Sequence, residues 1–139
     1  IGRRRMFKTI ARYADGWTLS SLYLPKPEDY KREIEELGTH FRESGRKIET
    51  MKKAQGVGCV VARNERELKE KTKRYPPLKL SYQNYTTLQP RLEGTPDECV
   101  EKLRQYADVG VTHFVLTFPD DITLEPIRLF GEQVIPAFK

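Results

Sequence analysis

The first residues with chemistry to offer are Gly2, Arg3 and Arg4. A glycine turn that opens a helix leaves backbone N–H groups without partners, and the helix dipole adds partial positive charge, so the turn favours phosphate. The N–H groups of Gly2 and Arg3 are the first donors, and the side chains of Arg3 and Arg4 add charge. A solvated basic helix start is the plainer reading of either arginine. Asp120 and Asp121 follow Pro119 in a loop after a strand. Such carboxylates can do acid–base work, although exposed loop carboxylates give the same pattern. His40 lies on a charged helix and reads as solvated. His113 opens a strand and reads as structural. Cys59 and Cys99, the two cysteines, fall on core elements and read as free thiols. Two histidines and two cysteines scattered without ligand spacing predict no metal site. The sequence also lacks a P-loop and a dinucleotide-fold glycine motif, and no local pattern suggests Ser-His-Asp or Cys-His chemistry.

These candidates must be held in place by elements, and the clearest run is Gly94–Phe118. Thr95 can cap a helix, Pro96 suits its first position, and Glu98 can close a capping box. Cys99, Leu103 and Tyr106 or Ala107 make its apolar stripe. Gly110 ends it in the left-handed conformation. His113–Phe118 is then extended, and a short loop from a helix into a β-rich run marks a parallel α/β layout. Earlier, Arg3–Tyr13 reads as a helix with Met6, Phe7, Ile10 and Tyr13 or Ala14 inward. Trp17–Leu19 reads as a very short buried strand. Glu28–Glu43 is an amphipathic helix carrying Tyr30, Ile34, Leu37 and Phe41 on one side. A strand lies within Glu49–Ala62. Asn64 caps the next helix, with Glu67 completing its box, and that helix runs to Tyr75. The last helix, Thr123–Ile135, draws its buried side from Leu124, Ile127, Phe130, Val134 and Ile135.

The fold class is therefore α/β, with about three parallel strands and flanking helices in a single unit over residues 1–139. Residues 76–93 have little period and are long for a loop, so they read as an irregular insertion or lid. Ile1-Gly2 reads as the exit of a strand, so a strand is expected before Ile1. Three strands leave sheet edges and helix faces incompletely covered, which suggests part of a larger α/β protein.

Composition narrows the classes. The chain has 139 residues, 37% of them apolar, enough for one domain with a core. No apolar run is long enough to span a membrane, and no secretion leader is visible, so a cytoplasmic location without a membrane partner is expected. The net charge is +5 and the pI about 9.2. The basic residues are mixed with glutamates in KREIEE, NERELKEK and DECVEKLR, which read as solvated helix faces, and no nucleic-acid partner is expected.

RRMFKTIARYADGW at 4–17, GTPDECVEKL at 94–103 with Tyr106-Ala107 and Gly110-Val111, and HFVLTFP at 113–119 followed by LFGEQVIP at 129–136 stand in a telling order and spacing. Together they resemble the luciferase-like monooxygenase family, which includes flavin-dependent monooxygenases and reductases using coenzyme F420. The resemblance implies the C-terminal portion of a (β/α)8 TIM barrel. Ile1-Gly2 would end the fifth strand, and strands six to eight would lie near Trp17, Val57–Val61 and His113–Phe118. It implies that Gly2, Arg3 and Arg4 hold the phosphate of FMN or F420. The family's glycine-rich stretch before the Arg-Arg helix is reduced here to Gly2. The active-site face, at the carboxyl ends of barrel strands, would include Leu19–Ser21, Arg63 and Thr117–Asp121. Thr117 would contact flavin or substrate, and Asp120 would serve acid–base work. The implied function is an FMN- or F420-dependent oxidoreductase, performing hydride transfer or monooxygenation on a small organic molecule. The alternative is a non-catalytic barrel portion that self-associates as a homo-oligomer or packs with a complementary barrel portion. In either case the isolated chain is expected to be inactive.

Overall fold

The structure is a computed structural model, and it describes residues 3–19, 26–77, 79–82, 85–88, 91–119 and 123–139. Helix α1 (Arg3–Tyr13) carries Arg3, Arg4, Arg5, Lys8 and Arg12 and no acid, so its narrow apolar side decides how it packs. That side is Phe7 and Ala11, both buried, with Ile10 and Ala14 half-buried. Met6, expected inward, points out at 42% exposure; of the alternatives Tyr13 and Ala14, Ala14 takes the inward place and Tyr13 is 74% exposed. The stripe is one residue wide per turn, and the 3.6-residue period carries Met6 and Tyr13 off its flanks.

After α1 the chain forms β1 (Gly16–Leu19), α2 (Pro27–Glu43), a 3₁₀ turn at Ile48–Thr50, and β2 (Lys52–Val61). Next come α3 (Glu65–Arg74), β3 (Lys79–Tyr82), β4 (Tyr85–Leu88) and β5 (Arg91–Gly94). Helix α4 (Pro96–Asp108), β6 (His113–Thr117), α5 (Glu125–Gln133) and a closing 3₁₀ turn at Ile135–Phe138 complete the described elements. Residues 76–93, without period in the sequence, contain the antiparallel hairpin β3–β4 and most of β5.

Strands β1, β5 and β6 all pair with β2 in parallel. Ala54 and Gln55 are in register with both β1 and β6, and Gly58 with both β5 and β6. Hence β1 and β5 lie end to end along one edge of β2, and β6 takes the other. A parallel sheet needs helical crossovers, and these supply the covering layer. The chain is thus a partial parallel sheet with flanking helices, a portion of a (β/α)8-type barrel.

Two clusters form the core. Val57, Cys59 and Val61 of β2 meet Leu92 of β5, Cys99, Val100 and Leu103 of α4, and Leu129, Phe130 and Val134 at the C-terminal end. Phe130 and Val134 are where the sequence pattern put them. Leu124, Ile127 and Ile135 are exposed, and Leu129 takes the third inward place. The other cluster joins Phe7, Ala11, Trp17, Tyr30, Leu37, Phe41, Met51 and Val111. Its aromatic rings meet edge-on or tilted, with Phe7 and Trp17 centroids 5.9 Å apart and Trp17 and Tyr30 centroids 6.0 Å apart. Burial, then the charge of Glu33, raises the Tyr30 phenol to about 12. His40, read as solvated, is buried against Phe7 instead, and its Nδ1 lies 3.0 Å from the Glu43 carboxylate. Its position one turn beyond Leu37 places it on the inward side of α2.

Candidate functional site

A parallel sheet sets its chemistry at the carboxyl ends of its strands, where helices begin. Here those ends are Leu19, Val61, Gly94 and Thr117. Helix α4 starts directly after β5, with Pro96 at its first position, and Glu98 accepts from the Thr95 N–H at 2.8 Å. Helix α1 ends two residues before β1 begins, so its start lies at the carboxyl-end side as well. The first-turn N–H groups of α1 have no partners within the helix.

Of the predicted phosphate residues, Arg3 and Arg4 are described. Arg3 turns onto α2, with its guanidinium 2.9 Å from Glu36, 3.6 Å from Glu33 and over the Phe7 ring. Arg4 is exposed and makes no ion pair among the described residues. Thr117 is exposed at the last position of β6. Gly2 and Asp120 lie outside the described residues, as do Ser20, Ser21 and Asp121.

Arg63, just past the end of β2, belongs to a charge cluster that the sequence reading missed. Its guanidinium lies 2.7 Å from Glu125 and 3.7 Å from Glu67. Lys71 lies 2.8 Å from Glu67 and 3.1 Å from Glu125, and it donates to the Val61 carbonyl at 2.9 Å. Two cations and two anions thus tie α3 and α5 to the end of β2. Burial alone would raise the Glu67 carboxyl, but bonds from Lys71 and the Arg63 N–H bring it below its usual range. Burial would likewise lower Lys71, and its two carboxylate partners raise it instead. A neutralised cluster of this kind holds elements together and offers no free acid or base. Glu67 also shows how its helix starts. Asn64 caps it by accepting from the Glu67 N–H at 3.0 Å, while the Glu67 carboxylate reaches the N–H of Arg63 rather than that of Asn64.

On the sheet face away from Val57, Cys59 and Val61, one row crosses three strands. Gly58 is in register with Arg91 on one side and Thr117 on the other. A Cβ on Gly58 would meet the Arg91 side chain at 3.4 Å, so the missing side chain is the space in which that stem lies. The Arg91 guanidinium is buried, pairs with Glu93 and donates to the Tyr75 carbonyl. The alternation in RLEG puts Leu92 in the core and Arg91 and Glu93 on the other face. That signal is visible in the sequence, but four residues are too few to separate it from the surrounding aperiodic stretch.

Cys59 and Cys99 are free thiols in the core. Their mutual hydrogen bond and burial hold the Cys59 thiol well above the usual range. No group of three or more potential metal ligands occurs among the described residues. None of the described helices is long and apolar enough to cross a membrane.

No protein-family model matches the chain. An F420-dependent glucose-6-phosphate dehydrogenase from Nakamurella multipartita is 41% identical over 44 residues, which are 32% of this chain and 13% of that protein. Among solved structures, a coenzyme F420-dependent tetrahydromethanopterin reductase from Methanopyrus kandleri superposes with a TM-score of 0.70 at 16% identity, over 97% of this chain and 48% of that one. A riboflavin lyase with modified FMN and riboflavin superposes with a TM-score of 0.72 at 16% identity, over 95% of this chain and 40% of that one. The likenesses are distant, and the chain spans less than half the length of the proteins it matches.

Proposed function

We propose that this chain supplies the phosphate-holding part of a flavin- or F420-dependent oxidoreductase. The observation that carries the reading is the start of α1. First-turn N–H groups without partners inside the helix, and an Arg4 that makes no ion pair with a described residue, stand at the carboxyl-end side of a barrel-type parallel sheet. The partial sequence match to an F420-dependent dehydrogenase supports it. The residues fit an anionic cofactor: no carboxylate lies in the first turn of α1. In this reading the N–H groups of Gly2 and Arg3 and the Arg4 guanidinium hold the phosphate of FMN or F420. The Arg3 side chain, tied to Glu33 and Glu36, joins α1 to α2 and leaves the charge to Arg4. Thr117 faces the substrate, with Asp120 beyond it. A bound flavin or deazaflavin ring supplies hydride chemistry, and the protein's part is to seat and orient it.

Titration of the full protein with FMN and with F420, followed by visible absorbance, tests this. One of the two should bind saturably, and Arg4→Gln should weaken it about tenfold, the scale of one lost charge-assisted hydrogen bond. Binding of neither cofactor would overturn the reading.

A second reading rests on β6, whose outer edge pairs with no described strand and whose Val115 is 58% exposed. An open parallel edge of this kind suits a chain that packs with a complementary barrel portion or with its own copy.

A further inference from the structure

A groove between the second half of α1 and the end of α2 has no part in the reading above. Lys8, Arg12 and Tyr13 line one side, His40, Glu43 and Ser44 the other, around a volume of about 600 Å³. That volume falls among those of small-molecule sites, roughly 300–1,000 Å³. The groove lies at the end of α1 that leads into the start of β1, the opposite end from the proposed cofactor phosphate.

Three features converge there. Lys8 and Arg12 stand one helical turn apart and make no ion pair with a described residue, and Arg4 continues the row a turn earlier. Two such cations, about 6 Å apart along the helix axis, suit a single doubly charged group. Tyr13, beside Arg12, is 74% exposed and offers an aromatic face left open by the described residues. Opposite them the Glu43 carboxylate is fixed through one oxygen by His40, itself buried against Phe7. The hydrogen bond from His40, aided by Lys8 and Arg4, holds Glu43 below the usual carboxylate range, so it is ionised. Its other oxygen accepts no hydrogen bond from a described residue and is available to a hydroxyl or amino donor.

We propose that this groove binds a nucleoside monophosphate, with the phosphate on Lys8 and Arg12, the base against Tyr13 and a sugar hydroxyl or exocyclic amine on Glu43. The combination of dianion, flat ring and donor is what the three features select together. An inorganic phosphate would use only the first. A nucleic-acid strand would need the cationic row to continue, and it stops at Arg12.

Calorimetric titration of the full protein with AMP, adenosine and inorganic phosphate tests the site. AMP should bind saturably, and about tenfold or more tighter than either adenosine or phosphate. Lys8→Gln and Arg12→Gln should each weaken AMP about tenfold, and Tyr13→Ala by a similar factor, the scale of one lost base–aromatic stack. These three side chains are exposed, so the variants should melt like the parent, and Arg5→Gln should leave AMP binding unchanged. FMN or F420 binding, read by visible absorbance, should be unaltered in the same variants, which separates this site from the cofactor seat. The proposal is overturned if AMP does not bind saturably. It is equally overturned if phosphate alone binds as tightly, or if AMP binding is indifferent to Lys8, Arg12 and Tyr13.

Discussion

A methyl group on Gly94 would lie 2.8 Å from both Cβ and Oε2 of Glu98, and the backbone there has a φ of +158°. The strand can turn into α4 only if that side chain is absent, because Glu98 must come back to the Thr95 N–H. Gly94→Ala should therefore cost about 1–3 kcal/mol, read as a shift in urea midpoint. Gly131→Ala is the matched control. Nothing lies within 4 Å of its added methyl, and it should gain about 0.5–1 kcal/mol through helix propensity. The Arg63–Glu67–Lys71–Glu125 cluster sets a pH dependence. The folded pKa of Glu67 lies below its unfolded value of 4.5, so its stabilisation is complete above that value. It is lost as the pH falls through the lower folded value. Lys71→Met should flatten the acid limb of a stability–pH curve measured by urea denaturation, and an unchanged limb would show that other carboxylates set it. The Thr95–Glu98 box was legible because it is local, three residues apart. The ties from Arg3 to Glu33 and Glu36, and from Lys71 to Glu125, join separate elements, and no spacing along the chain announces them.

Among the elements, α1 shows how a stripe can mislead. Met6 and Phe7 are neighbours of similar hydrophobicity, and only packing against Trp17 and α2 decides between them. Phe7→Ala should cost about 3–5 kcal/mol, since the ring is fully buried beside Trp17 and His40. Met6→Ala should stay within about 0.5 kcal/mol in the same thermal melts. Helices and parallel strands with a clear period were readable at their places, including a strand as short as β1, because Asp15-Gly16 before Trp17 and Ser20-Ser21 after Leu19 mark its two ends. The hairpin β3–β4 was not. Its residues lack clean alternation, and antiparallel pairing depends on what lies opposite each strand.

For the whole molecule, the decisive feature is the open sheet. β6 presents a parallel edge with Val115 exposed, and the chain spans under half of the barrels it superposes on. On the proposed reading, the 139-residue chain produced alone should show no turnover with FMN or F420. Turnover by the chain alone would mean that the site is complete within it. The charge cluster at Arg63 and the two cores sit on one side of that question, since each is satisfied internally.

Strand β2 is bonded along both edges, to β1 and β5 on one side and to β6 on the other. The amide hydrogens of Ala54, Gln55 and Gly58, where it has a partner on both sides, can reach solvent only when a neighbouring strand has detached. In deuterium exchange they should be the slowest in the chain, while β3 and β4, bonded only to each other among the described strands, exchange early. Exchange at those β2 amides then times the departure of a neighbouring strand, not the fraying of a helix.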